Sequence, residues 1–386
     1  MISRRSLVNV VVFLLTVFVF TGCSGIRLNR SIIARQGDWA MFGGDPSRSN
    51  TVMTGAQPPF EVVWEYNAQG GLRATPLVRD SMIIVSTLHG EIQVVSVQTG
   101  KRLGYRVFDA PVVGTPVLDG SRVLFALSGR DKTLIALDLS TGERVWGISA
   151  GPIESSLLLV DRFLYATTLT GEALCVDKTT GDEVWRYDSA VKGKREAIRS
   201  SPATDGTVLC FGSDDHSVYG LDRSRGHLLW KTPTGASVFA SPLMINGMAI
   251  VGNLAGAVHA FDAATGRIRW TYETGSKVYL SASGSRETVF VGSADGVLHA
   301  LDPSTGEPRW KFRTGGIIGA TPLVAGNLVY VGSMNKRLHA LDVVTGKERW
   351  NYEAEGRIRV SPVLWGDYLL VTSEDKYITA LRTLGP

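Results

Sequence analysis

Cysteine is scarce in this chain, charge of one sign is confined to one end, and no apolar run is long enough to cross a bilayer. Three cysteines occur among 386 residues, Cys23, Cys175 and Cys210, and none belongs to a C-x-x-C-H haem site. A nucleophile elbow, a phosphate-cradling glycine loop and the twelve-residue calcium loop are also missing. The longest apolar run, 7–20, falls short of the about 20 helical residues that a hydrocarbon core requires. Five of the 40 basic residues and none of the 36 acidic ones lie in 1–37, so the remainder is nearly neutral. Such a balance gives no footprint for nucleic acid.

Arg4 and Arg5 precede the apolar run, and Thr21, Gly22 and Cys23 follow it. The order is that of an export signal, expected over 1–22. It resembles the bacterial lipobox, which implies lipidation of Cys23; the alternative is a simple cleaved signal. Residues 23–37 then form a basic tether, and 38–61 an extension before the main domain. Ser24 in place of aspartate favours the outer membrane. Cys175 and Cys210 sit inside apolar strands, as buried thiols or as a disulfide in an oxidising compartment.

A period governs everything beyond residue 60. Trp64, Trp146, Trp185, Trp230, Trp270, Trp310 and Trp350 recur with Gly104 in one slot, at intervals of 40, 42, 39, 45, 40, 40 and 40. Within one unit, 320–353, four short β-branched and aromatic runs are separated by turn residues, which predicts a four-stranded antiparallel sheet. Eight openings such as "ATPLV" and "ASPLM" begin eight units. The last lacks its fourth strand, and 62–67 is a fourth strand without a sheet. Pairing them predicts an all-β, eight-bladed β-propeller over 62–386, closed between an N-terminal strand and the last blade. Proline in six of the openings suits an innermost strand whose edge faces the channel.

The repeated Asp-x-x-Thr-Gly-x-x-x-Trp reads as a joint. Its loop turns at Asp and Gly, and its tryptophan packs into the seam with a neighbouring blade. Each ring buries about 150–250 Å², on the order of 4–6 kcal/mol gross. On this reading Gly104 marks a weak seam where tryptophan is expected to be tolerated. His259, His299 and His339 also repeat at 40, but equivalent positions in successive blades do not converge, so seam packing is expected and no metal site. "SDDHS", 213–217, reads as a polar turn.

At these residues the chain resembles the PQQ-like repeat propellers, whose hallmark is the tryptophan-docking motif. "DWAMFGGDPSRSN", 38–50, resembles the segment that precedes many of them. The enzymatic branch, quinone-dependent dehydrogenases, carries adjacent cysteines and a calcium constellation that are missing here, so neither a cofactor nor catalysis is expected. Lipobox, propeller and length together resemble the BamB family of outer-membrane β-barrel assembly. The resemblance implies a lipid-anchored, non-catalytic scaffold at the periplasmic face of the outer membrane, monomeric within a complex, with a barrel-assembly factor as partner. Another envelope partner or a glycan is the alternative, and a quinone-dependent dehydrogenase is the third reading.

Function is then expected at the channel mouth, where connections enter the inner strands. Arg73, Val113, Glu154, Arg199, Phe239, Leu280, Gly319 and Arg359 lie just ahead of the proline position, with Arg357 nearby. They form either a basic, partly apolar recognition surface or a solvated rim. The longest connection, 188–202, adds Arg195 and the pair Ile198-Arg199. The family binds its barrel partner with a Leu-Arg segment in this connection, and that pair is the nearest match.

Overall fold

The computed structural model describes residues 25–28, 32–35, 37–53, 56–129, 133–190, 192–374 and 376–384. Cys23 and the expected leader lie outside them.

Eight antiparallel sheets follow one another over 77–107, 117–148, 158–188, 203–233, 243–273, 283–313, 323–353 and 363–383, here blades 1 to 8. Blade 8 takes its fourth strand from Phe60–Asn67, paired with Tyr377–Thr383 from Phe60↔Thr383 to Asn67↔Tyr377. The ring is thus closed by the strand expected from the sequence. Middle strands such as Leu328–Gly332 are buried throughout, because neighbouring blades cover both faces. Outer strands such as Glu348–Glu353 alternate between exposed and half-buried residues.

In every blade the outer strand is bulged at the residue before the tryptophan position. Ala300 opposes Trp310 while Leu301 opposes Pro308, which leaves Arg309 as the extra residue. The bulge re-aims the ring toward the next blade. There the indole N–H donates to the carbonyl of the residue after the turn aspartate, or after Ser96 in its place in blade 1. Trp64 bonds Val97 at 2.8 Å, Trp146 Lys178 at 3.0 Å, Trp185 Arg223 at 3.2 Å, Trp230 Ala263 at 2.9 Å, Trp270 Pro303 at 2.9 Å and Trp310 Val343 at 3.1 Å. The ring lies over the glycine of that loop. A Cβ on Gly306 would stand 2.5 Å from Trp270, and its φ of +76° already favours glycine. Trp350 instead packs edge-on against Phe60, at 5.1 Å between centroids. At Gly104, between blades 1 and 2, residues 25–28 of the N-terminal chain fill the seam.

Two belts hold the innermost strands. In the first, a backbone N–H donates to the hydroxyl at the same position one blade on: Thr75 to Thr115, Thr115 to Ser156, Ser156 to Ser201, Ser201 to Ser241 and Ser241 to Ser281, all at 2.9–3.0 Å. The residue before the proline position is therefore Ser or Thr as a hydrogen-bond partner as well as a small side chain. The second belt is the segment 38–52, which runs around the lower end of the channel. The carbonyls of Trp39, Ala40, Pro46, Ser47, Ser49 and Asn50 accept from Val78, Leu118, Thr204, Met244, Gly284 and Val324, in blades 1, 2, 4, 5, 6 and 7. These are inner-edge donors that the strand ladders leave unpaired. The segment ends as Thr51–Val52, a fifth strand parallel to Leu323–Ala325 of blade 7.

Candidate functional site

The belt of 38–52 bonds six of the eight inner strands near their ends, about five residues, or about 16 Å, beyond the mouth position. One end of the channel is therefore occupied by the chain itself, and the other is the mouth. Four residues before the proline position stand Leu72, Val112, Ile153, Ile198, Val238, Val278, Ile318 and Ile358, all buried. They wedge the connection onto the blade. A Cβ on Gly292 would stand 2.6 Å from Ile318, which is why glycine ends that middle strand. The next residue faces out as Arg73, Val113, Glu154, Arg199, Phe239, Tyr279 and Arg359, whereas in blade 7 it is Gly319, buried against the Ile358 carbonyl.

Two corrections follow from this register. Ile198 is fully buried, as one of eight equivalent wedges, so it is not an exposed anchor beside Arg199. In blade 6 the outward position belongs to Tyr279, 44% exposed, rather than to Leu280.

The arginines are less free than their sequence positions suggest. Arg199 is ion-paired with Asp214, and its guanidinium lies 5.3 Å from the centroid of Phe239. Arg359 and Arg357 share Glu374, at 2.8 and 3.8 Å. Arg195 grips Asp188 with two nitrogens inside the long connection and holds that carboxyl down at about 2. Arg73 is exposed and has no ion pair among the described residues. The mouth is therefore amphipathic rather than basic. Phe239, Tyr279 and Ile317 (45% exposed) form an apolar arc over blades 5 to 7, flanked by Arg199 and with Arg73 farther round. Aromatic and arginine side chains in such a setting are suited to binding a protein segment.

The acids of "SDDHS" are occupied: Asp214 by Arg199, and Asp215 by Lys231 at 2.8 Å and by the Tyr219 hydroxyl at 2.5 Å. Cys175 and Cys210 are buried and free, and burial pushes the Cys175 thiol up to about 12. Among the described residues no cluster of three His, Cys, Asp or Glu is placed to hold a metal.

His259, His299 and His339 are buried at seams, bonded to Thr271 (2.9 Å), Tyr272 (3.0 Å) and Glu348 (2.8 Å). Burial, with Lys311 adding to it, lowers His299 to about 4. The unfolded chain, near 6.5, binds the proton that the folded chain refuses, so stability is lost as pH falls from about 6.5 toward 4. His299→Gln should flatten that part of a plot of melting temperature against pH. An unchanged slope would exclude His299 as its source.

The sequence matches the family described as outer membrane protein assembly factor BamB over residues 110–187, 169–311 and 255–385. The BamB of Burkholderia pseudomallei is 28% identical over 192 residues, 45% of this chain and 48% of that protein. The chain thus spans about half the length of the curated relatives it matches. A quinoprotein alcohol dehydrogenase of Pseudomonas putida, PedH, is 27% identical over 30% of this chain and 20% of its own. Among solved structures, BamB from Moraxella catarrhalis superposes with a TM-score of 0.71 at 20% identity, covering 84% of this chain and all of that one.

Proposed function

The chain belongs to the BamB family of outer membrane protein assembly factors, and from that membership we propose that it is a lipid-anchored, non-catalytic scaffold. It sits at the periplasmic face of the outer membrane and holds an assembly factor for β-barrel proteins. The observation that supports this is the amphipathic mouth of Arg73, Phe239, Tyr279 and Ile317, on a ring whose other end is taken up by its own segment 38–52. A rigid, closed ring presents such a surface without paying for its ordering, which favours binding.

Purification of the chain from solubilised envelope at low salt should recover a barrel-assembly protein, and failure to do so would sink the proposal. Phe239→Ala with Tyr279→Ala should weaken that recovery about tenfold or more without lowering the melting temperature. Arg73→Glu should act in the same direction and should change the salt dependence of binding. Loss of binding only in variants that also melt early would instead place the contact elsewhere.

A further inference from the structure

Six docking tryptophans place an indole N–H on the carbonyl that follows the first turn residue of the next blade, an aspartate in five cases and Ser96 in the sixth. In the seam after blade 1 the corresponding carbonyl is that of Leu139, and the backbone N–H of Leu28 donates to it at 3.0 Å. Ile26 is fully buried in the same seam. Its Cα lies 3.3 Å from the place of a Cβ on Gly104, and its carbonyl rests on Gly142, the turn glycine that elsewhere carries the ring. Residues 25–28 thus reproduce the tryptophan's hydrogen bond and fill its volume. Gly104 is a socket rather than a defect, and the expectation that tryptophan is tolerated there is reversed.

The rim around this socket has its own character. The outer strands Arg102–Val107 and Arg144–Ile148 carry Arg102, Arg106 and Arg144 and no carboxylate, and Arg27 is exposed beside them. None of the four has an ion pair among the described residues. Leu103, Val107 and Val145 are 47%, 52% and 40% exposed on the same strands. Cationic side chains interleaved with exposed apolar ones match the anionic headgroup layer of a bilayer.

We propose that the tryptophan-free seam is a clamp for the chain that follows the membrane anchor, and that it sets the rim of blades 1 and 2 against the lipid surface. The orientation rests on the reading of Cys23 as the anchored residue; the clamp itself does not. Cys23 precedes Gly25 by two residues, a reach of at most about 7 Å, whereas an unclamped tether from Cys23 to Asp38 spans up to about 50 Å. The clamp therefore turns a loosely leashed ring into one held with a fixed edge at the membrane.

The test uses the full lipidated chain in vesicles of phosphatidylethanolamine and phosphatidylglycerol. In hydrogen exchange the Leu28 amide should be protected like a strand amide, and Gly104→Trp should lower that protection about tenfold or more. Ile26→Asp should do the same without adding bulk to the seam, which covers the case in which Gly104→Trp fails to fold. Dyes at Glu143→Cys in blade 2 and, separately, at Arg267→Cys in blade 5 occupy equivalent exposed positions. Energy transfer to a headgroup acceptor should be stronger from the first, and the difference should vanish in Ile26→Asp. Free exchange of Leu28 in the unaltered chain overturns the clamp, and equal transfer from both dyes overturns the orientation. Cys23 found without lipid by mass spectrometry overturns the anchor reading, while Leu28 protection still reports on the clamp.

Discussion

Trp230→Ala is expected to destabilise the ring by about 3–5 kcal/mol, the usual cost of emptying a large buried aromatic site. Trp230 is buried, lies parallel to Phe261 at 6.1 Å, donates to the Ala263 carbonyl at 2.9 Å and covers Gly266. Alanine removes the ring, leaves that carbonyl without its donor and opens the seam between blades 4 and 5. Thermal denaturation should show a fall of roughly 5–15 °C. Leu229→Ala, next to it on the bulge and 50% exposed, is the control, with a change of about 0.5 kcal/mol or less. Among the described residues Trp350 has no indole bond to a neighbouring blade, and it rests on Phe60, so its alanine variant should lose about 1 kcal/mol less. The joint reading of the motif requires this order. A Trp230→Ala chain that melted normally but no longer recovered its partner would show the repeated motif to be a binding site.

The repeat was legible because its physics is local. Antiparallel strands joined by short hairpins leave a period in the chain, and a final unit lacking one strand announces its partner at the other end. The bulge before each tryptophan left no mark, since the residues that occupy it, from Leu103 to Arg349, share no chemistry. Ile198 resembles half of a partner-binding pair only beside Arg199; within its own column, Leu72 to Ile358, every residue is apolar and buried. Gly104 was misread because its occupant, Ile26, lies far away in sequence and outside the repeat. The belt of 38–52 was hidden for a related reason. It acts through main-chain carbonyls, which any side chain can carry, and only a few positions betray it. Gly43 is one, with φ +75° and the backbone of Arg48 at 2.8 Å from where a Cβ would stand.

Arg48 is the other, and Arg48→Ala is expected to have the second large effect. This arginine is almost fully buried at the lower end of the channel, and its donors reach the carbonyls of Pro202 at 3.1 Å, Leu157 at 2.9 Å and Phe42 at 2.5 Å. It therefore ties the belt to blades 3 and 4. Burial lowers its guanidinium to about 9, with Asp45 opposing the shift, so it is charged at neutral pH. Alanine removes the donors and leaves buried carbonyls unpaired, at about 1–3 kcal/mol each, for a total of about 3 kcal/mol or more. Lysine keeps the charge but lacks the planar fork needed to meet three carbonyls in different directions, so Arg48→Lys should recover little. The discriminating measurement is hydrogen exchange at Thr204, Met244 and Gly284, whose amides bond the carbonyls of Pro46, Ser47 and Ser49. Protection at these three sites should fall in Arg48→Ala below its melting temperature, and should persist in Trp230→Ala, where the seam is weakened but the belt is intact. Were the three amides to stay protected without Arg48, the belt would be held by its main chain alone, and any loss of stability would have to be sought in the cavity left at the axis.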